Sequence, residues 1–314
     1  MDYITRFAPS PTGPLHLGHA FSAITASDRA KTNGGTFLLR IENIDPIRSK
    51  SQWENGIFED LRWLGLDWPE PVLRQSDRLS SYREALDQLI AMGVCYPCSC
   101  SRRDIRAALS APQEGSRGNR SGNPVYPGTC RLRSMSDAGT HDSIRLNVAS
   151  ALELVGRSTA MASPTRANKP VPGSNFDSRT IPLPDMPAFT EVGPIHPGTH
   201  QVIEKAMLSR IGDIVVARKD IGISYHLAVV VDDAGQGVTE VVRGEDLFEA
   251  TFLHVLLQDL LALPHPTYFH HPLVRDDSGR RLAKRDDAQS LARYREDGLT
   301  AQDVRRMAIS GRTV

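Results

Sequence analysis

The sequence predicts an α/β protein built on a doubly wound sheet, and three observations predict it. Residues 3–41 read as strand, tight loop, amphipathic helix, turn and strand, the opening βαβ unit of such a sheet. Apolar, β-favouring runs alternate with helical stripes again between residues 212 and 263. The chain has 314 residues, 24% of them charged, an ordinary globular composition with ample length for a buried core.

The first strand is the apolar run 3–7. From its end runs Arg6-Phe7-Ala8-Pro9-Ser10-Pro11-Thr12-Gly13-Pro14-Leu15-His16-Leu17-Gly18-His19. Pro9, Pro11, Gly13 and Pro14 forbid regular structure there. Residues 20–31 form the helix, so His16 and His19 fall near its start. A helix N-terminus presents unpaired N–H groups that favour anions, and imidazole donors beside them suit a polyphosphate. Asn33-Gly34-Gly35 turns the chain. Residues 36–41 return as a strand that delivers Glu42 and then Asp45-Pro46. Ligands of such sheets sit beyond the carboxyl ends of the strands, so Arg6 and Glu42 can face one pocket. Trp53, Ile57, Leu61 and Leu64 mark one further helix, and Tyr82, Leu86, Leu89 and Ile90 another. Gly93 fits the C′ position of the second, and Gln75-Ser76 lies in the loop between them. Both stripes are core.

Cys95-Tyr96-Pro97-Cys98-Ser99-Cys100 opens a different region. The chain has four cysteines, all between Cys95 and Cys130, too few and too clustered for a disulfide framework of this size. In a reducing compartment such a cluster reads as a metal site. Zinc takes four tetrahedral ligands. Cys98, Cys100 and Cys130 supply three, and either Cys95 or Tyr126 supplies the fourth. Chemistry alone prefers the thiolate, because a phenol with a pKa near ~10 must give up its proton. Residues 101–133 also carry seven arginines against Asp104 and Glu114, in a chain whose formal net charge is zero. Phosphate contacts belong on this stretch, with binding that weakens as salt rises. Residues 106–124 read as a long Gly-, Ser- and Arg-rich loop, and Arg117 and Arg120 fit a solvated loop equally well.

Residues 143–148 form a strand. Dense Pro, Ser, Thr and Gly make residues 158–199 a long irregular insertion. Order returns at 212–218. Residues 223–233 form a helix or buried segment that carries Tyr225 inward and ends in Asp232-Asp233. Gly235 and Gly237 turn the chain into a strand at 238–242, which ends in Arg243-Gly244-Glu245-Asp246. Residues 247–263 form a strongly apolar helix. The place of Arg243 directly after a strand favours a pocket over an ion pair with Glu245 or Asp246. Gly279-Arg280-Arg281-Leu282-Ala283-Lys284-Arg285-Asp286 is a basic loop, and Thr300-x-x-Asp303 is a capping-box helix start. No apolar run reaches spanning length, and the N-terminus enters the first strand without a signal peptide. The expectation is a cytoplasmic protein that works at no membrane.

The run from Arg6 to His19, with its His-Leu-Gly-His, resembles the HIGH signature of class I aminoacyl-tRNA synthetases, and in its full length that of their glutamyl branch. The basic loop is similar to the KMSKS loop of that class. Arg281 and Lys284 stand for its two lysines, and Ala283 and Arg285 replace its serines. The spacing Cys98-x-Cys100 with Tyr126-x-x-x-Cys130 is similar to a cysteine cluster of the glutamyl branch, which implies Tyr126 as the fourth ligand. The resemblance implies a Rossmann-like catalytic domain in two halves, 1–93 and 212–275. Between them it implies an inserted zinc-binding subdomain at 94–211 containing the irregular segment 158–199, and after them a KMSKS-like loop and short helical tail at 276–314. It implies L-glutamate held by Arg6, Ala8, Ser10, Glu42, Tyr225 and Arg243. It implies ATP, with magnesium, held by His16, His19 and Lys284, which also act as the catalytic residues. One structural zinc ion falls to Cys98, Cys100, Tyr126 and Cys130.

Only thirty residues follow Lys284, too few for the helical anticodon-binding domain of full glutamyl enzymes. The sequence thus resembles the members of the branch that lack that domain. This implies a monomer that activates glutamate with ATP and transfers it to the queuosine base in the anticodon of tRNA(Asp). Two other readings stay open from the residues: a shortened enzyme that charges tRNA(Glu), and an RNA-binding paralogue without catalysis.

Overall fold

A computed structural model describes residues 2–110, 125–162, 186–220, 222–275 and 289–310. The chain opens with β1 (Ile4–Phe7), α1 (Leu17–Thr32), β2 (Thr36–Ile41), α2 (Ser51–Trp63), β3 (Leu73–Arg74) and α3 (Leu79–Ala91). Gly93 follows α3 at φ 72°, the left-handed C′ position its place in the sequence predicts. Next come β4 (Cys95–Cys98), α4 (Arg102–Ser110), β5 (Ser143–Leu146), α5 (Val148–Ala162), β6 (Ala188–Glu191) and β7 (Gly198–Gln201). The short α6 (Glu204–Ala206) runs on as a π turn to Ile211, before β8 (Ile214–Ala217), α7 (Tyr225–Gly235) and β9 (Glu240–Gly244). The described chain finishes with α8 (Phe248–Leu260), β10 (Thr267–His271), α9 (Leu291–Glu296) and α10 (Ala301–Ser310). Thr300 and Asp303 close the expected capping box at the start of α10, with N–H bonds of 3.0 and 3.2 Å to each other's side chains.

β1, β2 and β3 pair in parallel, with Ile4 opposite Thr36 and Arg40 opposite Leu73. A second sheet has the order β7-β6-β10-β9, in which β6, β10 and β9 are parallel and β7 is antiparallel. The two sheets meet where Thr239 N–H donates to Ile4 O at 3.0 Å and Ile4 N–H donates to Thr239 Oγ1 at 2.8 Å. The chain leaves β1 toward β2 on one side, while β9 flanks β1 on the other. The carboxyl ends of β1 and β9 therefore form a topological switch point, where open α/β sheets bind ligands. The third sheet, β4-β5-β8, is antiparallel.

The two larger packed cores hold the first and third sheets, and Phe189, Val241, Val255 and Tyr268 form a smaller one on the second. Leu17, Ala20, Ala23 and Ile24 of α1 pack with Phe7, Leu39 and Ile41, and with Val304 and Met307 of α10. Tyr82, Leu89, Leu146, Val216, Leu227, Leu253 and Leu257 form the other, which ties the antiparallel sheet to α3, α7 and α8. Apolar residues recur on the helices at i, i+3 and i+4, which is why these stripes are legible. Among the described residues no helix is long and apolar enough to cross a membrane.

One expectation needs correction. Residues 158–199 are not irregular throughout: α5 continues to Ala162, and residues 188–191 and 198–201 are paired strands. In β6, Phe189 and Glu191 are buried while Thr190 is exposed, the period of a strand with one buried face. Four-residue strands set among prolines and glycines are too short to show that period against their surroundings. Residues 163–185 lie outside the described residues, as does the KMSKS-like loop with Lys284.

Candidate active site

The carboxyl ends of β1 and β9 open on a cavity of about 480 Å³. Eight of the nine residues assigned to glutamate and ATP line it: Arg6, Ala8, Ser10, His16, His19, Glu42, Tyr225 and Arg243. The ninth, Lys284, is outside the described residues. The described chain ends at Arg275, next to the cavity-lining Val274, and resumes at Gln289, next to Ser290, which bridges to His16. Leu291 N–H also donates to Leu15 O at 2.9 Å, so the N-terminal loop and the chain after that stretch are held together.

The two histidines are placed by the helix they begin. His16 is the N-cap of α1, and its Nδ1 accepts from Gly18 N–H at 3.1 Å. His19 Nδ1 accepts in return from His16 N–H at 3.2 Å. This is a capping box built from imidazoles, with ring centroids 3.8 Å apart. Each ring uses Nδ1 as an acceptor, so the neutral rings carry their proton on Nε2. Ser22, one turn on, bonds His271 Nε2 at 2.8 Å, and both also line the cavity.

A buried charge lattice forms the floor. Arg6 donates to both carboxylate oxygens of Asp233, at 2.9 and 3.1 Å. Arg40 donates to Asp233 at 2.7 Å and to Glu42 at 3.2 Å. Asp232, adjacent on α7, takes Gln75, Arg78 and Tyr82 at 3.0, 3.1 and 2.7 Å. Burial opposes ionisation of Asp233, but the Arg6 and Arg40 guanidiniums overcome it and hold the carboxyl down at about 2. Burial instead wins at Glu42, raising its carboxyl against the pull of Arg40 and Arg6. Tyr225, held at the start of α7 by its Ser224 N-cap, is raised first by burial and then by the Glu42 charge. The charge of Arg6 is thus already met by Asp233, a residue that the sequence alone did not single out for the pocket.

Arg243 differs. Its Nε donates to His270 Nε2 at 3.1 Å, one terminal nitrogen to His254 Nδ1 at 3.1 Å, and the other to Thr251 Oγ1 at 2.8 Å. All three partners are uncharged acceptors. Among the described residues Arg243 has no carboxylate within ion-pair distance, and Glu245 pairs with Arg275 at 3.8 Å instead. A buried guanidinium at the end of a parallel strand, with neutral contacts alone among the described residues, has the chemistry to receive an anion.

The cysteines also converge. The sulfurs of Cys98, Cys100 and Cys130 lie within 4.8 Å of one another. Tyr126 Oη is 3.4 Å from Cys98 Sγ and 3.6 Å from Cys100 Sγ. Cys95 stands apart, buried in the apolar core with Leu146 and Val148. Burial raises Tyr126 and lifts Cys100 to about 11. Burial likewise works to raise Cys130, but hydrogen bonds led by that from Tyr126 bring it down to about 7. The neighbouring basic stretch is partly committed to structure: Arg131 bonds Asp213 at 2.7 Å and Arg133 bonds Asp142 at 2.8 Å. Arg117 and Arg120 lie outside the described residues, and Arg102, Arg103 and Arg106 are exposed on α4.

This fold is that of a class I aminoacyl-tRNA synthetase catalytic domain. The family model described as tRNA synthetases class I (E and Q), catalytic domain, matches residues 3–156 and 199–311, and the chain belongs to that family. Within it, a glutamyl-Q tRNA(Asp) synthetase from Rhodobacter capsulatus is 51% identical over 97% of this chain and 99% of its own length. Another from Albidiferax ferrireducens is 38% identical over 92% of this chain and 87% of its own. The chain is a member of the glutamyl-Q tRNA(Asp) synthetase family, ligases of the aminoacyl-tRNA synthetase type. Among solved structures, a glutamate tRNA ligase from Elizabethkingia meningosepticum in complex with its amino acid superposes with a TM-score of 0.69 at 26% identity. The match covers 98% of this chain and 60% of that one, so the chain spans three fifths of its length. A methionyl-tRNA synthetase from Mycobacterium tuberculosis bears a likeness of fold alone, with a TM-score of 0.56 at 11% identity.

Proposed function

We propose that this cavity condenses L-glutamate with ATP and passes the glutamyl group to the queuosine base in the anticodon of tRNA(Asp). The observation that carries the reading is Arg243, a buried cation whose partners among the described residues are all neutral, beside a histidine-capped helix. In the first step the α-carboxylate of glutamate attacks the α-phosphorus of magnesium-bound ATP. One P–O bond forms, the bond to the β-phosphate oxygen breaks, and pyrophosphate leaves. The nucleophile is already ionised, so catalysis rests on positioning and charge stabilisation rather than on a general base. His16 and His19 donate Nε2–H to phosphate oxygens beside the N–H groups of the first turn of α1. Lys284 offsets charge on the leaving pyrophosphate. Glu42 takes the substrate ammonium, Arg243 its side-chain carboxylate, and Ala8, Ser10 and Tyr225 complete the contacts. Arg6, bound to Asp233, contributes its remaining N–H groups and the shape of the floor. Glutamine loses a charge-assisted bond to Arg243 and is rejected. In the second step a queuosine hydroxyl attacks the mixed anhydride and AMP leaves.

The cysteine cluster fits one zinc ion. Donors about 2.3 Å from a tetrahedral centre lie about 3.8 Å apart, and Cys100 and Cys130 sulfurs are 3.5 Å apart. Cys98, Cys100, Tyr126 and Cys130 would hold the ion. It would brace the β4-β5-β8 sheet as an inserted subdomain, remote from the bond-making step. Four free thiols go with a reducing, cytoplasmic setting.

Glutamate-dependent exchange of pyrophosphate into ATP tests activation, and Lys284→Ala should slow it while leaving the fold intact. Transfer is tested with three RNAs: tRNA(Asp) with queuosine, the same tRNA without it, and tRNA(Glu). Glutamylation of the first alone is the expected result. Charging of tRNA(Glu) would replace the transfer reading, and absence of exchange would leave an RNA-binding protein.

A further inference from the structure

Residues 157–198 fall between the two stretches that the family model matches, yet they send a carboxylate to within one imidazole of Arg243. We propose that Glu191, acting through His270, is a positioning residue that sets the orientation of Arg243 and thereby the preference for glutamate over glutamine. The inference rests on the reading of Arg243 as the partner of the substrate side-chain carboxylate.

Hydrogen bonds fix the ring protons of His270 and His254, while the Thr251 hydroxyl has two acceptors in reach, His270 Nε2 at 3.3 Å and Leu247 O at 3.4 Å. Glu191 Oε1 accepts the backbone N–H groups of Gly193 at 2.7 Å and His270 at 2.9 Å. Glu191 Oε2 lies 2.5 Å from His270 Nδ1. Both side chains are wholly buried. Arg243 has no lone pair, so His270 Nε2 must accept from it. The His270 proton is therefore on Nδ1, donated to Glu191. The same logic runs on the far side. Arg243 makes His254 Nδ1 an acceptor, so His254 Nε2–H donates to His226 Nδ1 at 3.1 Å. Burial, followed by the nearby Arg243 charge, pushes both His226 and His254 below the ordinary range and keeps them neutral acceptors.

The chain Glu191–His270–Arg243 places a counter-charge one ring away from the guanidinium. A carboxylate in direct contact would occupy the face that a substrate carboxylate needs, as Asp233 does for Arg6. At one ring's remove it supports burial of the cation and aims it, while leaving that face to the ligand. Three of the five guanidinium N–H groups are committed to His270, His254 and Thr251, which sets the plane in which the other two are presented.

Glu191→Gln is the sharpest test. The two backbone N–H groups hold the amide oxygen at the Oε1 position, so the amide N–H faces His270 Nδ1. The ring must then accept there and carry its proton on Nε2, where it meets the Arg243 Nε–H as donor against donor. The expected result is a rise in the KM for glutamate of about 10- to 100-fold in pyrophosphate exchange. The KM for ATP should stay within about twofold, and the ratio of glutamate to glutamine kcat/KM should fall by about tenfold or more. Thr251→Val should shift the same two quantities in the same direction, and Thr251→Ser, which keeps the acceptor oxygen, should restore them. This second pair decides the matter if Glu191→Gln does not fold. An unchanged KM and ratio in Glu191→Gln and Thr251→Val would overturn the inference. Arg243→Ala separates the two levels: if it too leaves the glutamate KM unchanged, the reading of Arg243 fails. If it alone raises that KM, only the positioning role fails.

Discussion

Asp233 is the residue on which the cavity floor depends. It is the shared partner of Arg6 and Arg40, both buried, and it sits 227 and 193 positions from them in the chain. Replacing it with asparagine keeps its shape but leaves two guanidiniums against a neutral amide. Asp233→Asn should therefore cost about 3–5 kcal/mol of folding stability, read from the midpoint of a urea titration. A loss under about 1 kcal/mol would show that the other carboxylates of the floor suffice for both arginines. The pH dependence has a definite sign. The folded-state carboxyl titrates at about 2, below its ordinary value of 3.8. Its contribution is thus present in full above about pH 4 and is lost as pH falls toward 2. The native protein should lose stability more steeply over that interval than Asp233→Asn does. Arg6, Glu42 and Arg243 were legible because each ends a recognisable strand. Asp233 was not, because only the fold brings the end of α7 beneath β1 and β2. The imidazole network of His254, His270 and His226 escaped for the same reason, and β10, which carries His270, was not singled out in the sequence either.

At the scale of elements, β4 sorts the cysteines. Residues three apart on a strand face opposite sides, so Cys95 points into the apolar core and Cys98 into the cluster. Burial alone lifts the Cys95 thiol to about 12, which makes it a poor source of thiolate. Metal analysis of purified protein should give close to one zinc per chain for the native sequence and for Cys95→Ala, and little for Cys130→Ala. Equal zinc in native protein and Cys130→Ala would remove the cluster from metal binding. The approach to Tyr126 depends on a glycine. Gly212 ends the π turn at φ 64° and ψ −164°, a conformation open essentially to glycine alone, and a Cβ there would fall 2.3 Å from Val125 Cγ1. Gly212→Ala should cost at least about 2 kcal/mol in thermal or urea unfolding and reduce bound zinc. A neutral effect would mean that the turn and Val125 relax freely. The long helices and the βαβ opening could be read from period and turn residues. β6 and β7 could not, since four residues with one buried face carry too little pattern. Their strand character comes from pairing with each other and with β10 rather than from local preference.

For the molecule as a whole, charge decides how RNA can be held. The formal net charge is zero, so long-range attraction is weak and any phosphate contact must be local. The sequence points to residues 101–133, but the fold commits Arg131 and Arg133 to Asp213 and Asp142. Among the described residues of that stretch this leaves Arg102, Arg103 and Arg106, exposed on α4. That helix sits against the cysteine cluster through Ile105, so the proposed metal site would also fix where its cationic face points. Activation and transfer should then separate. Reversing all three charges, Arg102→Glu with Arg103→Glu and Arg106→Glu, should leave glutamate-dependent pyrophosphate exchange within about twofold, because none of them lines the cavity. The same variant should bind tRNA more weakly at low salt and transfer glutamate more slowly. The slope of log affinity against log salt should become shallower by about 0.7–0.9 for each phosphate that the variant no longer neutralises. Loss of exchange along with transfer would mean that α4 supports the catalytic fold itself. Unchanged transfer and an unchanged slope would place the RNA on another face.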